Sequence, residues 1–208
     1  TGAAGPVYVD FLAGASGYRR LHGGGRGEMI ARAIGLRPGI GPLNVLDATA
    51  GLGQDGFVLA CLGCRVNLLE RHPVVHALLE DGLQRLRVGL GDCAEESGDV
   101  GGRLTLCHDS LLQWTSWTLG DDTDVIYLDP MFPEQRRKSL VRKEMQVFHA
   151  LVGEDADGGE LLQRALQAPV SRVVVKRPRI TPFLGDVKPS TTLSGKRCRY
   201  DIYARRRL

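Results

Sequence analysis

The chain has 208 residues, 43% of them hydrophobic, which is enough for one domain with a full core. No run of about 18 apolar residues occurs and nothing resembles a signal peptide, so neither a membrane span nor secretion is predicted. Five scattered cysteines, an odd number, fit a reducing cytoplasm better than a disulfide framework, and the sequence indicates no obligate protein partner.

The net charge of +3 is distributed unevenly along the chain. Residues 1–135 carry 10 Lys or Arg and 17 Asp or Glu, a balance of −7. Residues 136–208 carry 17 Lys or Arg and 7 Asp or Glu, a balance of +10. A basic half favours a polyanionic partner, although a solvated charged surface would give the same balance.

The hydrophobic pattern predicts strands that alternate with helices. In the first half we predict a strand at 5–11, a Gly-rich loop and a helix that ends at Gly35, a strand at 43–49, a turn at 51–56, a helix at 57–63, a strand at 65–70 and a helix at 74–86 after Pro73. In the second half we predict an acidic loop at 91–102, strands at 103–108 and 124–129, helices at 138–153 and 158–168, and strands at 171–177 and 199–206.

This order of elements predicts an α/β fold with a doubly wound, mostly parallel sheet. No helical pattern separates the last two strands, so we expect an antiparallel hairpin at the sheet edge. The alternating residues of 199–206 are typical of an edge strand. Residues 1–40 are predicted to form a strand, a Gly-rich loop and a helix appended to a core domain at 41–208.

A glycine turn follows the strand at 43–49. Gly51-Leu-Gly53-Gln-Asp-Gly56 matches GxGxxG between a strand and a helix, a pattern that alone is weak because a tight turn without a ligand also needs glycine. Glu70 ends the next strand, where a carboxylate binds ribose hydroxyls in a dinucleotide or in an adenosyl cofactor.

Two acidic residues discriminate between a dinucleotide and an adenosyl cofactor. Asp47 lies four residues before Gly51 and Asp55 lies within the turn, and both would repel a pyrophosphate. Both suit the ammonium of an aminoacyl cofactor, so the turn favours S-adenosylmethionine over NAD. Asp109 and Ser110 follow the third strand of the core, where side chains contact adenine, although Asp109 could equally be a helix N-cap.

The segment Asp129-Pro-Met-Phe-Pro follows the apolar run Val-Ile-Tyr-Leu. Its two prolines exclude a helix start, so it is predicted to be an extended loop. It is a variant of the Asp/Asn-Pro-Pro-Tyr/Phe motif of methyltransferases that act on exocyclic amino groups of bases. Asp129 and the Pro130 carbonyl would accept the two amine N–H bonds, and Phe132 would stack on the base. A strand-end cap at Asp129 and a core role for Phe132 are the alternatives.

Several segments resemble the ribosomal RNA small-subunit methyltransferase J family: "GGGRGE", "DATAGLGQDGFVLACLGCRV", "LLERHPVV", "YLDPMFP", "KSLVRKEMQVFHALVG", "VVVKRP" and "DIYA". The resemblance implies a class I Rossmann-like fold, S-adenosylmethionine as cofactor and N2-methylation of one guanine in bacterial 16S ribosomal RNA. It also implies the cofactor positions Gln54, Asp55, Glu70, Arg71, Asp109, Ser110 and Asp129. Family members more often have Arg where Gln54 stands, and they usually carry a further N-terminal portion.

Basic residues follow the Asp129 loop directly: Arg136, Arg137, Lys138, Arg142 and Lys143. Lys176 and Arg177 end a strand at the same sheet edge. Together they predict contacts with the phosphates of a nucleic acid. The loop at 23–27 could bind an anion or close over the cofactor, and could equally be a plain connection.

No metal site is predicted, because Cys61 and Cys64 have no second pair and His72 and His76 have no third ligand. From the residues alone, the sequence indicates an amino-methyltransferase of a nucleic-acid base, with adenine or cytosine left open. The resemblance specifies guanine N2 and the small ribosomal subunit, and the cysteine pattern indicates the cytoplasm. An enzyme of DNA, an NAD-dependent oxidoreductase and a non-catalytic RNA-binding module are the other classes considered.

Overall fold

The computed structural model describes residues 7–14, 28–90, 99–114, 122–130, 157–196 and 198–206. The helices in these ranges are α1 (Met29–Ile34), α2 (Gln54–Cys61), α3 (Pro73–Leu90) and α4 (Gly158–Gln167). The strands are β1 (Asn44–Asp47), β2 (Arg65–Leu69), β3 (Leu104–Cys107), β4 (Val125–Leu128), β5 (Arg172–Pro178), β6 (Thr191–Ser194) and β7 (Cys198–Ala204). Short 3₁₀ turns lie at Leu111–Gln113 and Leu184–Asp186.

The strands form one seven-stranded sheet in the order β3-β2-β1-β4-β5-β7-β6. Neighbouring strands from β3 to β5 are parallel, whereas β7 is antiparallel to both β5 and β6. The strand order reverses at β1, which has β2 on one side and β4 on the other. Ligands of open α/β sheets bind at such a switch point, beyond the carboxyl ends of the strands. The predicted fold class is therefore confirmed.

Side chains of successive strand residues enter two separate cores, one on each face of the sheet. In β4, Val125 and Tyr127 join the core that contains the buried residues of α1, α2 and α3. Ile126 and Leu128 join the core that contains Leu161 of α4. Helices therefore cover both faces, and the run of apolar residues in β4 reflects burial on both sides.

The N-terminal strand prediction is wrong for residues 7–11. Val9 and Phe11 are buried whereas Tyr8 is exposed, but the segment pairs with no strand among the described residues. The carboxylate of Asp10 accepts hydrogen bonds from the N–H groups of Leu12 and Ala13, so the chain turns instead of extending. The alternation here reports burial against the core and not a hydrogen-bonded ladder.

The hairpin at the sheet edge was predicted with the wrong outer strand. The edge strand is β6, a polar segment that the hydrophobic pattern did not reveal, and β7 lies between β5 and β6. β7 can be internal because its two charged residues are paired: Arg199 Nε donates to Asp201 Oδ1 at 2.9 Å, and both side chains are buried.

The remaining predicted elements agree with the structure apart from their ends. Gly53 has a left-handed φ of 71°, so α2 begins directly after it and three residues earlier than predicted. Gly35, with φ 91°, ends α1 as predicted. The predicted helix at 138–153, the Gly-rich loop at 23–27 and residues 91–98 lie outside the described residues. Within the described ranges, no helix is long and apolar enough to cross a lipid bilayer.

Candidate active site

A cavity of about 270 Å³ lies at the switch point, beyond the carboxyl ends of the parallel strands. It is lined by nine of the ten predicted cofactor residues: Asp47, Gly51, Gln54, Asp55, Glu70, Arg71, Asp109, Ser110 and Asp129. The tenth, Gly53, is buried between the turn and α2. The structure thus brings residues from four separate strand ends to one site.

The glycine turn has its own structural requirements. Gly51 and Gly53 have φ values of 54° and 71°, which side chains rarely adopt. A Cβ on Gly53 would lie 2.6 Å from Cδ1 of Leu79, and a Cβ on Gly56 would lie 2.4 Å from Cδ2 of Leu68. Gly53 and Gly56 therefore let α2 pack closely on α3 and on the sheet, and Gly51 permits the turn, whatever the cavity binds.

Asp47 ends β1 at the floor of the cavity, with only 2% of its surface exposed. One oxygen accepts a hydrogen bond of 3.2 Å from the Thr49 N–H. Burial, followed by repulsion from Asp55, raises the pKa of Asp47 to about 8. The carboxyl group is therefore mostly protonated near pH 7 when no cation lies beside it.

Glu70 follows β2 and is held by two backbone groups. Its Oε2 accepts a hydrogen bond of 2.8 Å from the Gly51 N–H, and its Oε1 accepts one of 2.7 Å from the His72 N–H. Burial raises the pKa of Glu70, and the two N–H donors oppose that rise. These bonds fix the carboxylate at the end of β2, where a ribose would bind.

A chain of hydrogen bonds joins the glycine turn to the Asp129 loop. The Tyr127 hydroxyl donates to Asp55 Oδ2 at 2.6 Å, and Lys176 Nζ donates to the same oxygen at 2.7 Å. Lys176 Nζ also donates to Asp129 Oδ2 at 2.8 Å, and the Asp129 N–H donates to Thr49 Oγ1 at 2.7 Å. Burial lowers the pKa of Lys176, but Asp129 and Asp55 more than offset this, so its ammonium stays charged.

At the opposite side of the cavity, Asp109 is held by a side chain from the following turn. Its Oδ2 accepts a hydrogen bond of 2.8 Å from Trp114 Nε1, and its Oδ1 accepts one of 2.7 Å from the Ser110 N–H. Ser110 Oγ caps the 3₁₀ turn by accepting from the Leu112 N–H at 3.3 Å. The alternative role of Asp109 as the N-cap is therefore wrong, because Ser110 occupies that position.

Arg71 forms an ion pair with Asp157, the N-cap residue of α4. Both guanidinium Nη atoms donate to this carboxylate, one of them at 3.3 Å. The Arg71 side chain is 39% exposed and lies at the rim of the cavity. This pair links the end of β2 to the N-terminus of α4, which packs on the face of the sheet opposite to α2 and α3.

Two of the seven predicted RNA contacts are not exposed cations. Lys176 is engaged with two carboxylates inside the cavity, and Arg177 is only 5% exposed, with Nη2 donating to the Pro182 carbonyl at 2.8 Å. Burial lowers the pKa of Arg177. Their positions do not match the exposed phosphate contacts expected from the sequence, and contact of Lys176 and Arg177 with RNA stays a prediction. Phe132 and the predicted RNA contacts Arg136, Arg137, Lys138, Arg142 and Lys143 lie outside the described residues.

Sequence reasoning missed four residues that contact the predicted ones, namely Thr49, Trp114, Tyr127 and Asp157, and it did not predict the contact of Lys176 with Asp129. The sequence carried signals for Tyr127 and for the contact of Lys176. Tyr127 is the only residue of β4 with a polar group, and a buried phenol usually has a hydrogen-bond partner. Lys176 follows three fully buried valines, so its charge needed a partner nearby. In the described part of the chain, no group of three or more His, Cys, Asp or Glu could hold a metal ion.

The donors in this cavity fit S-adenosylmethionine. The cofactor carries a sulfonium and an ammonium, and the carboxyl groups of Asp47, Asp55 and Asp129 line the same cavity. Asp47 would ionise when one of these cations lies beside it. The fixed carboxylate of Glu70 suits ribose hydroxyls. The strand order and the acidic cavity at the switch point together define a class I methyltransferase that depends on S-adenosylmethionine.

Comparison with known proteins gives the family. A family model described as "Putative SAM-dependent methyltransferase" matches residues 1–205. The ribosomal RNA small subunit methyltransferases J of Hahella chejuensis and Pseudomonas aeruginosa are 53% and 52% identical over 206 residues; the alignments cover 99% and 98% of this chain and 75% and 76% of those proteins. The chain belongs to the ribosomal RNA small subunit methyltransferase J family.

A solved structure agrees with this assignment. The crystal structure of a SAM-dependent methyltransferase from Neisseria gonorrhoeae superimposes with a TM-score of 0.71 at 39% identity. The match covers 98% of this chain and 76% of that one. The cofactor is therefore S-adenosylmethionine, as the sequence predicted, whereas the role of each individual site residue stays a prediction.

Proposed function

We propose that the protein transfers the methyl group of S-adenosylmethionine to the exocyclic N2 amine of one guanine in 16S ribosomal RNA of the small subunit, in the bacterial cytoplasm. The names of the relatives support a ribosomal RNA substrate of the small subunit. The observation that carries the proposal is the position of Asp129, which follows β4 directly and lines the same cavity as the cofactor residues.

The chemistry of an exocyclic amine explains the Asp129-Pro130 pair. The lone pair of the nitrogen is delocalised into the ring, so the amine is a poor nucleophile. Acceptance of its two N–H bonds by the Asp129 carboxylate and the Pro130 carbonyl would draw the nitrogen towards tetrahedral geometry. S-adenosylmethionine supplies an electrophilic methyl carbon on a sulfonium. The nitrogen bonds to this carbon as the carbon–sulfur bond breaks, the sulfur keeps the electron pair, and the nitrogen releases one proton to solvent.

Acceleration would come mainly from orientation inside the cavity. The Asp129 backbone is held by Thr49 and its carboxylate by Lys176, so the acceptor is fixed before the base arrives. Phe132 would stack on the base, and Arg136, Arg137 and Lys138 would contact phosphates beside the cavity. The RNA-facing residues are proposed from the sequence.

Two other functions are less well supported. An amino-methyltransferase of adenine or cytosine would use the same acceptor pair, and the product distinguishes it. An NAD-dependent oxidoreductase conflicts with Asp55, which lines the cavity in the first helical turn after the glycines and whose charge would repel a pyrophosphate.

The proposal is tested by incubating the protein with S-adenosylmethionine that carries a labelled methyl group. Small-subunit RNA is offered both as protein-free RNA and within assembled subunits, and the RNA is then digested to nucleosides. We expect label in N2-methylguanosine. Label in N6-methyladenosine would overturn the guanine assignment, and no transfer to either substrate would overturn the proposed function.

A further inference from the structure

The ammonium of Lys176 lies between two carboxylates that belong to different parts of the site. Asp55 is in the first turn of α2, and Asp129 is the first residue after β4. Lys176 Nζ lies 2.7 Å from the first carboxylate and 2.8 Å from the second. The side chain is 26% exposed and lines the cavity, so any molecule bound there shares the space with its charge.

We propose that Lys176 is a positioning residue for methyl transfer, which holds one oxygen of Asp129 in place and offsets part of the negative charge of the cofactor cavity. Its effect on the transfer step rests on the proposed function. Its effect on cofactor binding rests only on the cavity and its charges.

Sheet register explains why a lysine at this position reaches Asp129. β4 and β5 are parallel, and Leu128 lies opposite Val175 in the last pair. Asp129 and Lys176 are each the next residue along their strands, so their side chains leave the sheet at the same level. Asp55, in the first turn of α2, accepts from the same ammonium, and the Tyr127 hydroxyl also donates to it.

A paired ammonium restricts the Asp129 carboxylate. Charge-assisted hydrogen bonds are shorter and stronger than neutral ones, and a second carboxylate on the same ammonium limits its movement. The N–H of Asp129 is also bonded, to Thr49. Both ends of Asp129 are therefore fixed, which is what an acceptor of an amine N–H bond requires for orientation.

The same ammonium should distinguish the cofactor from its demethylated product. S-adenosylmethionine carries a sulfonium, whereas S-adenosylhomocysteine carries a neutral sulfur, and the two are otherwise alike. A fixed positive charge in the cavity disfavours the sulfonium, whereas its effect on the ammonium and carboxylate is common to both ligands and cancels in the affinity ratio. Removal of this charge should therefore improve the binding of S-adenosylmethionine relative to that of S-adenosylhomocysteine, whereas general damage to the cavity would weaken both.

The first experiment measures the two dissociation constants by calorimetry, without RNA, for wild type, Lys176→Met and Lys176→Arg. For Lys176→Met we expect the affinity ratio to shift roughly three- to thirtyfold towards S-adenosylmethionine, as expected for one unit charge at moderate screening. Lys176→Arg keeps the charge and should keep the wild-type ratio. Lys188→Met, at an exposed lysine outside the cavity, is the matched control and should change nothing.

A wild-type ratio in Lys176→Met, or equal weakening of both ligands, would overturn the proposal. If Lys176→Met does not fold, as judged by its melting transition, Lys176→Gln takes its place, because it removes the charge and keeps a hydrogen-bond donor. This measurement needs no methyl acceptor, so its outcome does not depend on the RNA substrate.

The second experiment measures kcat and RNA affinity for the same variants. For Lys176→Met we expect kcat to fall about 10- to 100-fold, as misplacement of a reacting group commonly causes. RNA affinity and its salt dependence should match wild type. A weaker RNA affinity with a salt slope lower by about one would identify a phosphate contact and overturn the positioning role. Absence of RNA methylation by wild type would refute the proposed function. The ratio of the dissociation constants for S-adenosylmethionine and S-adenosylhomocysteine would then remain as the test of Lys176.

Discussion

The hydroxyl of Tyr127 donates a hydrogen bond of 2.6 Å to Asp55, which joins the centre of the sheet to the first turn of α2. The tyrosine has no exposed surface, and burial, reinforced by the charge of Asp55, raises the pKa of its hydroxyl well above the usual value. The hydroxyl is therefore a permanent donor at working pH. It supports one wall of the cofactor cavity from beneath.

Replacement of Tyr127 with Phe tests this support. We expect a loss of about 1–2 kcal/mol in the free energy of unfolding, because Asp55 loses one of its hydrogen-bond donors. Binding of S-adenosylmethionine should also weaken, since the Asp55 carboxylate becomes less restrained. Chemical denaturation and calorimetry measure the two effects. Tyr200→Phe is the control, since its ring lies 6.5 Å from that of Tyr127, and a larger loss there would contradict the assignment.

The buried Asp47 should make the free energy of unfolding depend on pH. Its pKa is about 8 in the folded protein, against an ordinary value of 3.8 for a solvated aspartate, so the folded protein binds more protons than the unfolded chain between these values. Stability contributed by this group therefore falls as the pH rises from about 4 to 8 and is constant above that range. Asp47→Asn removes the titration. The free energy of unfolding of the variant, relative to that of wild type, should therefore increase over the same pH range.

Between pH 5 and pH 8 we expect this gain to grow by about 2–4 kcal/mol, because one pKa unit corresponds to about 1.4 kcal/mol. Urea unfolding at several pH values without cofactor measures it. Asp122→Asn, at an exposed aspartate, provides the comparison. A gap that narrows with rising pH would show that the carboxyl group is not protonated in the folded protein.

Glu70 is expected to be essential for cofactor binding. S-adenosylmethionine should raise the melting temperature of wild type, and NAD should not, since ligand at a hundredfold excess over its dissociation constant stabilises by about 2.7 kcal/mol. Glu70→Gln keeps the size of the side chain but places an amide NH₂ beside one of the N–H groups of Gly51 and His72. We expect most of the thermal shift to be lost. Stabilisation of wild type by NAD alone would contradict the cofactor assignment.

Asp129→Ala tests the proposed acceptor. The variant keeps both prolines of the loop, so turnover should fall by about 10²–10³, as after loss of one preorganised polar partner, with little change in RNA affinity. In contrast, Phe132→Ala should weaken RNA binding by about 1–3 kcal/mol for a lost stack, and Phe132→Tyr should be tolerated. Single-turnover rates and RNA titrations separate these effects. A folded Asp129→Ala protein with a near wild-type rate would exclude the mechanism.

The basic segment after the Asp129 loop is predicted to provide RNA affinity. Combined replacement of Arg136, Arg137 and Lys138 by Ala should reduce the dependence of log affinity on log salt by about two to three units if all three contact phosphates. Cofactor affinity should not change. A matched triple variant at the exposed residues Arg179, Lys188 and Lys196 is the control. A salt slope that changes only in the control would move the RNA surface to the β5–β7 side.

Local patterns in the sequence were sufficient to predict most of the fold. β1, β4 and β5 contain continuous runs of buried apolar residues, whereas β2 and β3 include exposed polar residues. Each of these parallel strands is followed by a turn or a polar residue. The errors arose where the burial pattern of a segment does not correspond to its strand pairing. Residues 7–11 alternate in burial without pairing, and β6 pairs at the edge with little apolar surface. The internal position of β7 depends on the ion pair between Arg199 and Asp201, which the alternation of side chains does not reveal.

The candidate site was likewise predicted only in part. Asp47, Glu70 and Asp129 could be predicted because each ends a strand and has a chemical role. Lys176 was assigned to phosphate contacts, since a lysine beside an arginine at a strand end resembles a basic surface. Only the parallel register of β4 and β5 brings Lys176 beside Asp129, and that register depends on residues 47 positions apart in the chain. The proposed division of the chain at residue 40 stays a prediction.

Binding of a cationic cofactor should displace the proton of the Asp47 carboxyl group. A sulfonium or ammonium placed near this carboxyl group lowers its pKa, so near pH 7 each binding event releases up to one proton from Asp47. The observed heat of binding therefore depends on the ionisation enthalpy of the buffer. The affinity for S-adenosylmethionine should therefore increase with pH up to about 8, the pKa of Asp47 without cofactor.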